Sequence, residues 1–376
     1  METVILLLPM YMLLYVVYIV RLIYGFSKVK TVPFENLTPK TTFSIVVPFR
    51  NESGNLPALL DSIKKLDYPE TMFEVIFIDD FSKDDSERKI YNWRMENGHY
   101  HVTLIESVRR SKSPKKDAIM RAIPIAQHDW ILTTDADCIL PENWLRAYND
   151  YIQKTSAEML AGPVIYKGKT RLSHHFQQLD FLSLQGATIG GFGLGKAFMC
   201  NGANFGYAKK LFHDIKGFSG NDHTASGDDV FLLQKAMTAA PEKVHYLKSR
   251  EAMVTTKPAD GWVSLFFQRV RWASKAVQYE HEFAETLTWA VFLGNVSLLI
   301  FAAMAFMGQL PWLVPAVVFA VKFAVDVVLM IQANRFLRRG RFFFPILGSV
   351  IYPIFSTLVA LYSIVGIYKW KGRTLR

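Results

Sequence analysis

Two parts of this chain are apolar over stretches too long for a water-soluble fold. Residues 4–26 form one almost uninterrupted apolar run, and most of residues 284–368 is equally apolar. About 20 such residues already cross a hydrocarbon layer about 30 Å thick. The chain is therefore expected to be a multi-pass membrane protein, with about 250 residues between the apolar regions to build one large domain.

The net charge of +10 would suit a nucleic-acid binder if it were spread over one folded face. Residues 27–283 instead carry 33 Lys and Arg against 30 Asp and Glu, while residues 284–376 carry 9 against 2. The excess thus flanks the apolar segments, where basic residues mark the cytoplasmic side and meet anionic lipid. Membrane lipids are the expected partners and nucleic acid is not. Cys138 and Cys200 have no second pair and no metal-ligand spacing, so a reduced, cytosol-facing domain fits better than a disulfide framework or a zinc site.

Residues 1–26 read as an N-terminal transmembrane helix. No basic region precedes the apolar run and no small-residue cleavage site follows it, which favours an anchor over a cleaved signal peptide. Arg21, Lys28 and Lys30 place the N-terminus outside and residue 30 onward inside. Residues 284–376 hold three more apolar stretches, roughly 284–307, 310–333 and 342–368, separated by Gly308 to Pro311 and by the basic loop Asn334 to Arg341. The first two form a hairpin that returns to the cytosol at Arg335, Arg338, Arg339 and Arg341. A full crossing by the third puts the basic tail Lys369 to Arg376 outside, against the charge rule. Pro345, Gly348 and Pro353 would allow a re-entrant or kinked segment instead, so two or three C-terminal spans are expected. Lys322 and Asp326, four residues apart within a span, are either a functional intramembrane site or a mutually neutralising pair.

Between the spans, residues 27–260 alternate short β-branched runs with helical patterns, the mark of an α/β domain with a mostly parallel sheet. Ser44 to Pro48 is a buried strand, followed by a turn at Asn51 to Asn55 and a helix over Leu56 to Leu66. Glu74 to Ile78 is the next strand and ends in Asp79 and Asp80; Val102 to Ile105 and Trp130 to Thr134 follow. Ligands of open α/β sheets bind beyond the carboxyl ends of such strands. Residues 261–283 read as an interfacial amphipathic helix, with Trp262, Phe266, Val270, Ala273 and Val277 on one face and Gln268, Arg271, Trp272 and Lys275 on another.

Three motifs carry chemistry. Asp135-Ala-Asp137 follows an apolar strand, so its two carboxylates would share a hard divalent cation with a diphosphate; a solvated turn is the plain alternative. Asp228 and Asp229 open an apolar helical run, either as a cap or as a carboxylate able to take a proton from an attacking hydroxyl. Gln268 to Trp272 combines an amide, a guanidinium and an indole, groups suited to diphosphate and sugar contacts. Gly190 to Gly195 lacks phosphate-loop spacing and reads as a flexible acceptor-side or membrane-proximal loop. His174 and His175 read as surface or interfacial, and His223, six residues before Asp229, as a candidate metal neighbour.

The order of these motifs resembles the membrane-embedded family-two glycosyltransferases of GT-A fold, the group of hyaluronan, chitin and cellulose synthases and ceramide glucosyltransferase. The resemblance covers about residues 43–275 and runs through Val47 to Glu52, Ile78 to Asp80, Lys115 to Ala118, Asp135 to Asp137, Asn201 to Asn204, Gly227 to Asp229 and Gln268 to Trp272. It implies a Rossmann-like cytosolic domain with interfacial and transmembrane helices, in a bacterial inner (plasma) membrane.

The resemblance also implies roles. Asp80, with Pro48 and Glu52, lines the nucleotide pocket, and Lys116 lies near the base or diphosphate. Asp135 and Asp137 are the paired acids of a Mg2+ or Mn2+ site, with Asp137 favoured as the direct ligand; His223 is a candidate there by its nearness to Asp229 in sequence, not by the resemblance. Asp229 is the catalytic base. Asn201, Gly202 and Asp228 lie on the acceptor side, and Gln268, Arg271 and Trp272 close over diphosphate and acceptor. Phe81 departs from the pattern where many members have Gly, and Arg269 where a second Gln is common.

The implied reaction is inverting transfer from a nucleotide-sugar donor, such as a UDP-sugar, to a lipid or polyisoprenoid acceptor. A processive polysaccharide synthase acting on a growing glycan is the alternative, and a nonenzymatic scaffold or transporter subunit the reading from another class. The small C-terminal membrane region offers little material for a polymer channel, which favours one-step glycosylation of lipid.

Overall fold

The computed structural model describes residues 2–111, 113–167, 172–220, 227–276, 281–338, 345–365, 368–370 and 373–375. The chain divides into a helical unit, residues 1–29, 168–198 and 258–376, and an α/β unit, residues 30–167 and 199–257.

The helical unit contains α1 (Glu2–Lys28), α6 (Leu172–Gly193), α9 (Gly261–Ala276), α10 (Glu282–Phe306), α11 (Leu313–Leu337) and α12 (Pro345–Val365), followed by the short antiparallel pair β10 (Tyr368–Trp370) and β11 (Arg373–Leu375). Among the described residues, four helices, α1, α10, α11 and α12, are long and apolar enough to cross a membrane. Residues 168–198, which the sequence reading kept inside the α/β segment, cluster with these helices. The glycine run read as a loop is in fact the last turn of α6 through Gly193. Gly190 and Gly193 persist in a helix because α1 packs directly against them. A Cβ on Gly190 would run into the Leu22 carbonyl oxygen, and one on Gly193 into that of Gly25. Small residues of this kind let apolar helices meet backbone to backbone. His174 is likewise buried rather than at the surface.

The third C-terminal stretch is one helix from Pro345 to Val365 with Pro353 inside it. Pro345 sits at the first helical position, where a missing N–H costs nothing. Lys322 and Asp326 pair at 2.6 Å, and the Tyr15 hydroxyl of α1 donates to the other carboxylate oxygen at 2.5 Å. The Lys322 ammonium also lies over the Tyr15 and Tyr352 rings, 4.7 and 5.6 Å from their centroids. This is the neutralising pair, completed by aromatic neighbours. The helix expected over residues 261–283 is present over Gly261–Ala276 but does not run on to residue 283, because a new helix starts at Glu282 with His281 as its N-cap, its ring accepting the Ala284 N–H at 3.4 Å. Glu282 and Glu285 in the first turn favour that start. Val277 lies outside the described residues. The apolar face of α9 packs on α12, with Val270 and Val359 buried and Phe266 and Phe355 against them.

The α/β unit runs β1 (Phe43–Phe49), α2 (Leu56–Lys64), β2 (Phe73–Asp79), α3 (Ser86–Glu96), β3 (Val102–Glu106), α4 (Pro114–Ala122), β4 (Trp130–Thr133), α5 (Trp144–Lys154), β5 (Met159–Ala161) and β6 (Val164–Tyr166). It then continues with β7 (Phe205–Ala208), α7 (Lys209–Asp214), α8 (Asp228–Ala239), β8 (Val244–Tyr246) and β9 (Val254–Thr256). Seven strands form one sheet in the order β3-β2-β1-β4-β7-β5-β8, and β6 pairs with β9 in a second. β1, β2, β3 and β4 are mutually parallel, β7 is antiparallel to β4 and β5, and β5 is parallel to β8. The continuous apolar character of β1 and β2 follows from this position, since every β2 residue is buried. Pro48 is tolerated in β1 because it lies beyond Val46 and Thr133, the last paired residues of β1 and β4. The chain enters β1 through a strap held by buried α5 side chains. Asp150 accepts the N–H groups of Glu35, Asn36 and Leu37, and Asn149 those of Lys40 and Thr41.

Candidate active site

The sheet order puts the carboxyl ends of β2, β1 and β4 side by side. Asp79 and Asp80 end β2, Arg50 to Glu52 follow β1, and Asp135 to Asp137 follow β4. Because β7 is antiparallel to β4, the turn Asn201 to Asn204 that precedes it reaches the same edge. Four separate stretches of sequence thus end at one edge of the sheet.

At the β2 end, Asp80 is 5% exposed and forms an ion pair with Arg109, which follows β3. Arg50 donates to the carbonyl oxygens of Asp80 and Phe81 at 2.5 and 2.8 Å. Phe81 has φ 57°, the left-handed region that costs a non-glycine residue about 1–2 kcal/mol. That backbone is the physical reason a glycine is common at this place. The Arg109 guanidinium lies 5.6 Å from the Phe81 ring centroid. Glu52 is buried and accepts from Asn55 Nδ2 at 2.6 Å, while its N–H donates to Ser86 Oγ at 2.8 Å. Pro48 is half-buried. The backbone after Arg109 is fixed by Asp117 of α4, whose carboxylate accepts the Arg110 and Ser111 N–H groups at 3.0 and 3.1 Å.

At the β4 end the carboxylates converge on an ammonium. Lys115 Nζ stands 2.7 Å from Asp135 Oδ1 and 3.8 Å from Asp228 Oδ2. Asp229 Oδ2 accepts the Gly202 N–H at 2.7 Å, and Asp229 Oδ1 the Val230 N–H at 2.9 Å. A Cβ on Gly202 would stand 3.0 Å from Lys115 Nζ and 3.2 Å from Asp229 Oδ2, so glycine is what lets these groups close up. Burial alone pushes the Lys115 ammonium down, but Asp135, Asp228 and Asp229 outweigh it and hold its pKa well above the ordinary lysine value. Thr133 Oγ1 donates to the Gly202 carbonyl at 2.8 Å and ties the turn to β4.

The sequence places Lys115 in a motif without giving it a role, and nothing in the sequence singles out Arg109. Lys116, to which the resemblance does give a role, is buried with its ammonium 5.1 Å from the Phe231 ring centroid. Asp228 is not the helix cap: the N-cap of α8 is Gly227, with φ 91°, and Asp228 turns toward Lys115. Asn201 accepts the Ala203 N–H at 3.0 Å within its own turn. Asp137 is half-buried and accepts from Cys138 Sγ at 3.6 Å. His223 lies outside the described residues.

Among the described residues, no three His, Cys, Asp or Glu side chains surround one cation position. Asp135 and Asp137 nonetheless fit Mg2+ or Mn2+. Their oxygens are hard ligands, such ions bind through one or two carboxylates plus substrate phosphates, and the Lys115 ammonium already marks a cation position on Asp135.

Gln268, Arg271 and Trp272 lie on α9 of the helical unit. Between them Arg269 is buried. Its Nε donates to Asp180 Oδ2 of α6 at 2.5 Å, its Nη1 to Gln268 Oε1 at 2.6 Å, and its guanidinium lies 4.1 Å from the Trp272 ring centroid.

Comparison with known proteins agrees with this architecture. Poly(ribitol-phosphate) beta-N-acetylglucosaminyltransferase TarS of Staphylococcus aureus is 28% identical over 118 residues, 31% of this chain and 20% of TarS. Glycosyltransferase AglE of Haloferax volcanii is 18% identical over 198 residues, 52% of this chain and 61% of AglE. The matched region thus spans about a fifth of TarS and three fifths of AglE. The mannosyltransferase PcManGT of Pyrobaculum calidifontis, solved in complex with GDP-Man and Mn2+, shares the fold at TM-score 0.62 and 18% identity, covering 94% of this chain and 98% of its own. The family description Glycosyl transferase family 2 matches residues 44–216. Over those residues the chain is similar to glycosyl transferase family 2, and its α/β unit has the GT-A fold.

Proposed function

We propose that the protein is a metal-dependent inverting hexosyltransferase, moving a sugar from a nucleotide-sugar, such as a UDP-sugar, to a lipid or polyisoprenoid acceptor at the cytosolic membrane face. The observation that carries this reading is the meeting of Asp135, Asp228, Asp229, Lys115 and Gly202 at the carboxyl edge of the sheet. Asp80, Glu52 and Pro48 line the nucleotide end, with Arg109 fixing Asp80 and Lys116 near the base or diphosphate. Asp229 takes the proton of the acceptor hydroxyl as its oxygen attacks the anomeric carbon from the face opposite the nucleotide. The Gly202 N–H bond fixes the orientation of that carboxylate. Mg2+ or Mn2+, held by Asp135 and Asp137 when bound, supplies positive charge against the departing diphosphate. Gln268, Arg271 and Trp272 receive the diphosphate and acceptor contacts their motif implies, and Asn201 and Asp228 stay on the acceptor side.

Support for a lipid-like acceptor comes from the four helices apolar enough to cross a membrane, which would bring such an acceptor laterally to the enzyme. The test is incubation of the full chain in lipid nanodiscs with a panel of labelled nucleotide sugars, with and without Mn2+. The expected result is metal-dependent nucleotide release and one glycolipid species, with Asp229→Asn lowering turnover by roughly 10²–10⁴. Undiminished turnover in that variant refutes the assigned base, and a product ladder refutes one-step transfer.

A further inference from the structure

Arg269 breaks the usual motif pattern, yet it is one of the most constrained side chains of α9. Its side chain is 7% exposed and that of Asp180 5%. One guanidinium makes three contacts at once: a charge-assisted bond to Asp180 of α6, a bond to the Gln268 amide oxygen, and a face-on approach to the Trp272 ring. Three residues before Asp180, Gln177 grips the chain just ahead of α9, donating to the Ala259 carbonyl at 2.9 Å and accepting its N–H at 2.8 Å. α6 therefore holds α9 at two points, and the second lies inside the Gln268 to Trp272 motif. A buried ion pair contributes little net stability, because desolvation offsets its attraction. Its best-attested use is to fix one arrangement among several of similar energy.

We propose that Asp180 and Arg269 are positioning residues, with the Asp180-anchored guanidinium locking the Gln268 amide and the Trp272 indole into the orientation used on donor and acceptor. This rests on the functional reading above, which gives those two side chains their contacts. Arginine is required because a planar fork can bond two partners in its plane while its face lies on an aromatic ring; a lysine ammonium has no such plane.

The test uses the full chain in nanodiscs and compares wild type, Arg269→Lys and the double variant Asp180→Glu/Arg269→Lys, in which the longer acid meets the shorter base. Arg269→Lys is expected to raise the donor KM about tenfold, the loss of one charge-assisted hydrogen bond, with kcat changed less than about threefold. Donor hydrolysis should also take a larger share of turnover as Trp272 loosens. The double variant should recover the unfolding midpoint but not the KM. A donor KM in Arg269→Lys within about twofold of wild type overturns the proposal, as does recovery of KM in the double variant. Wild-type transfer, and its loss by the factor given for Asp229→Asn, are read in the same assay, so an unmoved KM counts against the positioning role alone.

Discussion

Replacing Asn204 by leucine keeps the branching at Cγ and removes a buried amide that makes four hydrogen bonds. Asn204 is fully buried. Its amide donates to the carbonyls of Pro163 and Ala252 at 2.8 and 2.7 Å, and its carbonyl accepts from Trp144 Nε1 and the Tyr148 hydroxyl, each at 2.9 Å. One side chain thus ties α5 to β6 and to the turn before β9. Leucine would leave the Trp144 N–H, the Tyr148 hydroxyl and the Ala252 carbonyl without this partner in a dry interior, while the Pro163 carbonyl keeps the Val254 N–H at 3.1 Å. At roughly 1–2 kcal/mol for each of these three groups, the expected loss is about 3–6 kcal/mol. That is a large part of the whole stability of many domains, about 5–15 kcal/mol. For a unit of this size the unfolding midpoint should fall by at least about 6 °C, read by tryptophan fluorescence during heating in detergent. Transfer activity should fall with it, because Asn204 is the end of the turn that presents the Gly202 N–H to Asp229. A midpoint within about 2 °C of wild type would refute the reasoning that these four bonds act together.

Two further outcomes follow from polar groups elsewhere. Lys322→Met should destabilise the helical unit by about 2–4 kcal/mol, since Asp326 is left among apolar helices with only the Tyr15 hydroxyl bond given above; Lys322→Met/Asp326→Leu should recover most of that loss, and equal unfolding midpoints for the two variants would count against the pairing. In the α/β unit, partial burial pushes the Asp84 carboxyl up, but hydrogen bonds from the Ser86 hydroxyl and from Ser53 outweigh it and bring its pKa down to about 2 from 3.8. A carboxyl with a depressed folded pKa stabilises above its unfolded value and loses that contribution as pH falls through the folded one. Stability from Asp84 should therefore be complete above about pH 4 and fade toward pH 2, and Asp84→Asn should flatten that part of the curve in acid unfolding experiments.

Much of the α/β architecture was legible because its signals are local. The β-branched runs at Ser44 to Pro48, Glu74 to Ile78 and Trp130 to Thr134 became β1, β2 and β4, and the acids after them fall at one sheet edge. The i,i+4 spacing of Lys322 and Asp326 likewise announced their pairing. What stayed hidden depends on distant partners or on helix phase. Lys115 and Lys116 are adjacent in sequence, but successive residues of a helix point about 100° apart, and only the buried face of α4 decides which ammonium meets Asp135 and which meets Phe231. Arg109 sits in a loop with no periodicity to mark it, and its partner Asp80 comes from another strand. Asp180 and Arg269 are 89 residues apart. The glycines of α6 read as a loop because glycine is a weak helix former; the close passage of α1 overrides that preference.

That passage makes the first helix more than a tether. α1 is made well before α6, so the surface into which Leu22 and Gly25 fit does not exist until synthesis has gone past Gly193. A generic hydrophobic leader would keep the chain at the bilayer but leave α6 without its mate. Chimeras that exchange α1, or truncations that remove it, would therefore expose a notched helical flank and invite misassembly.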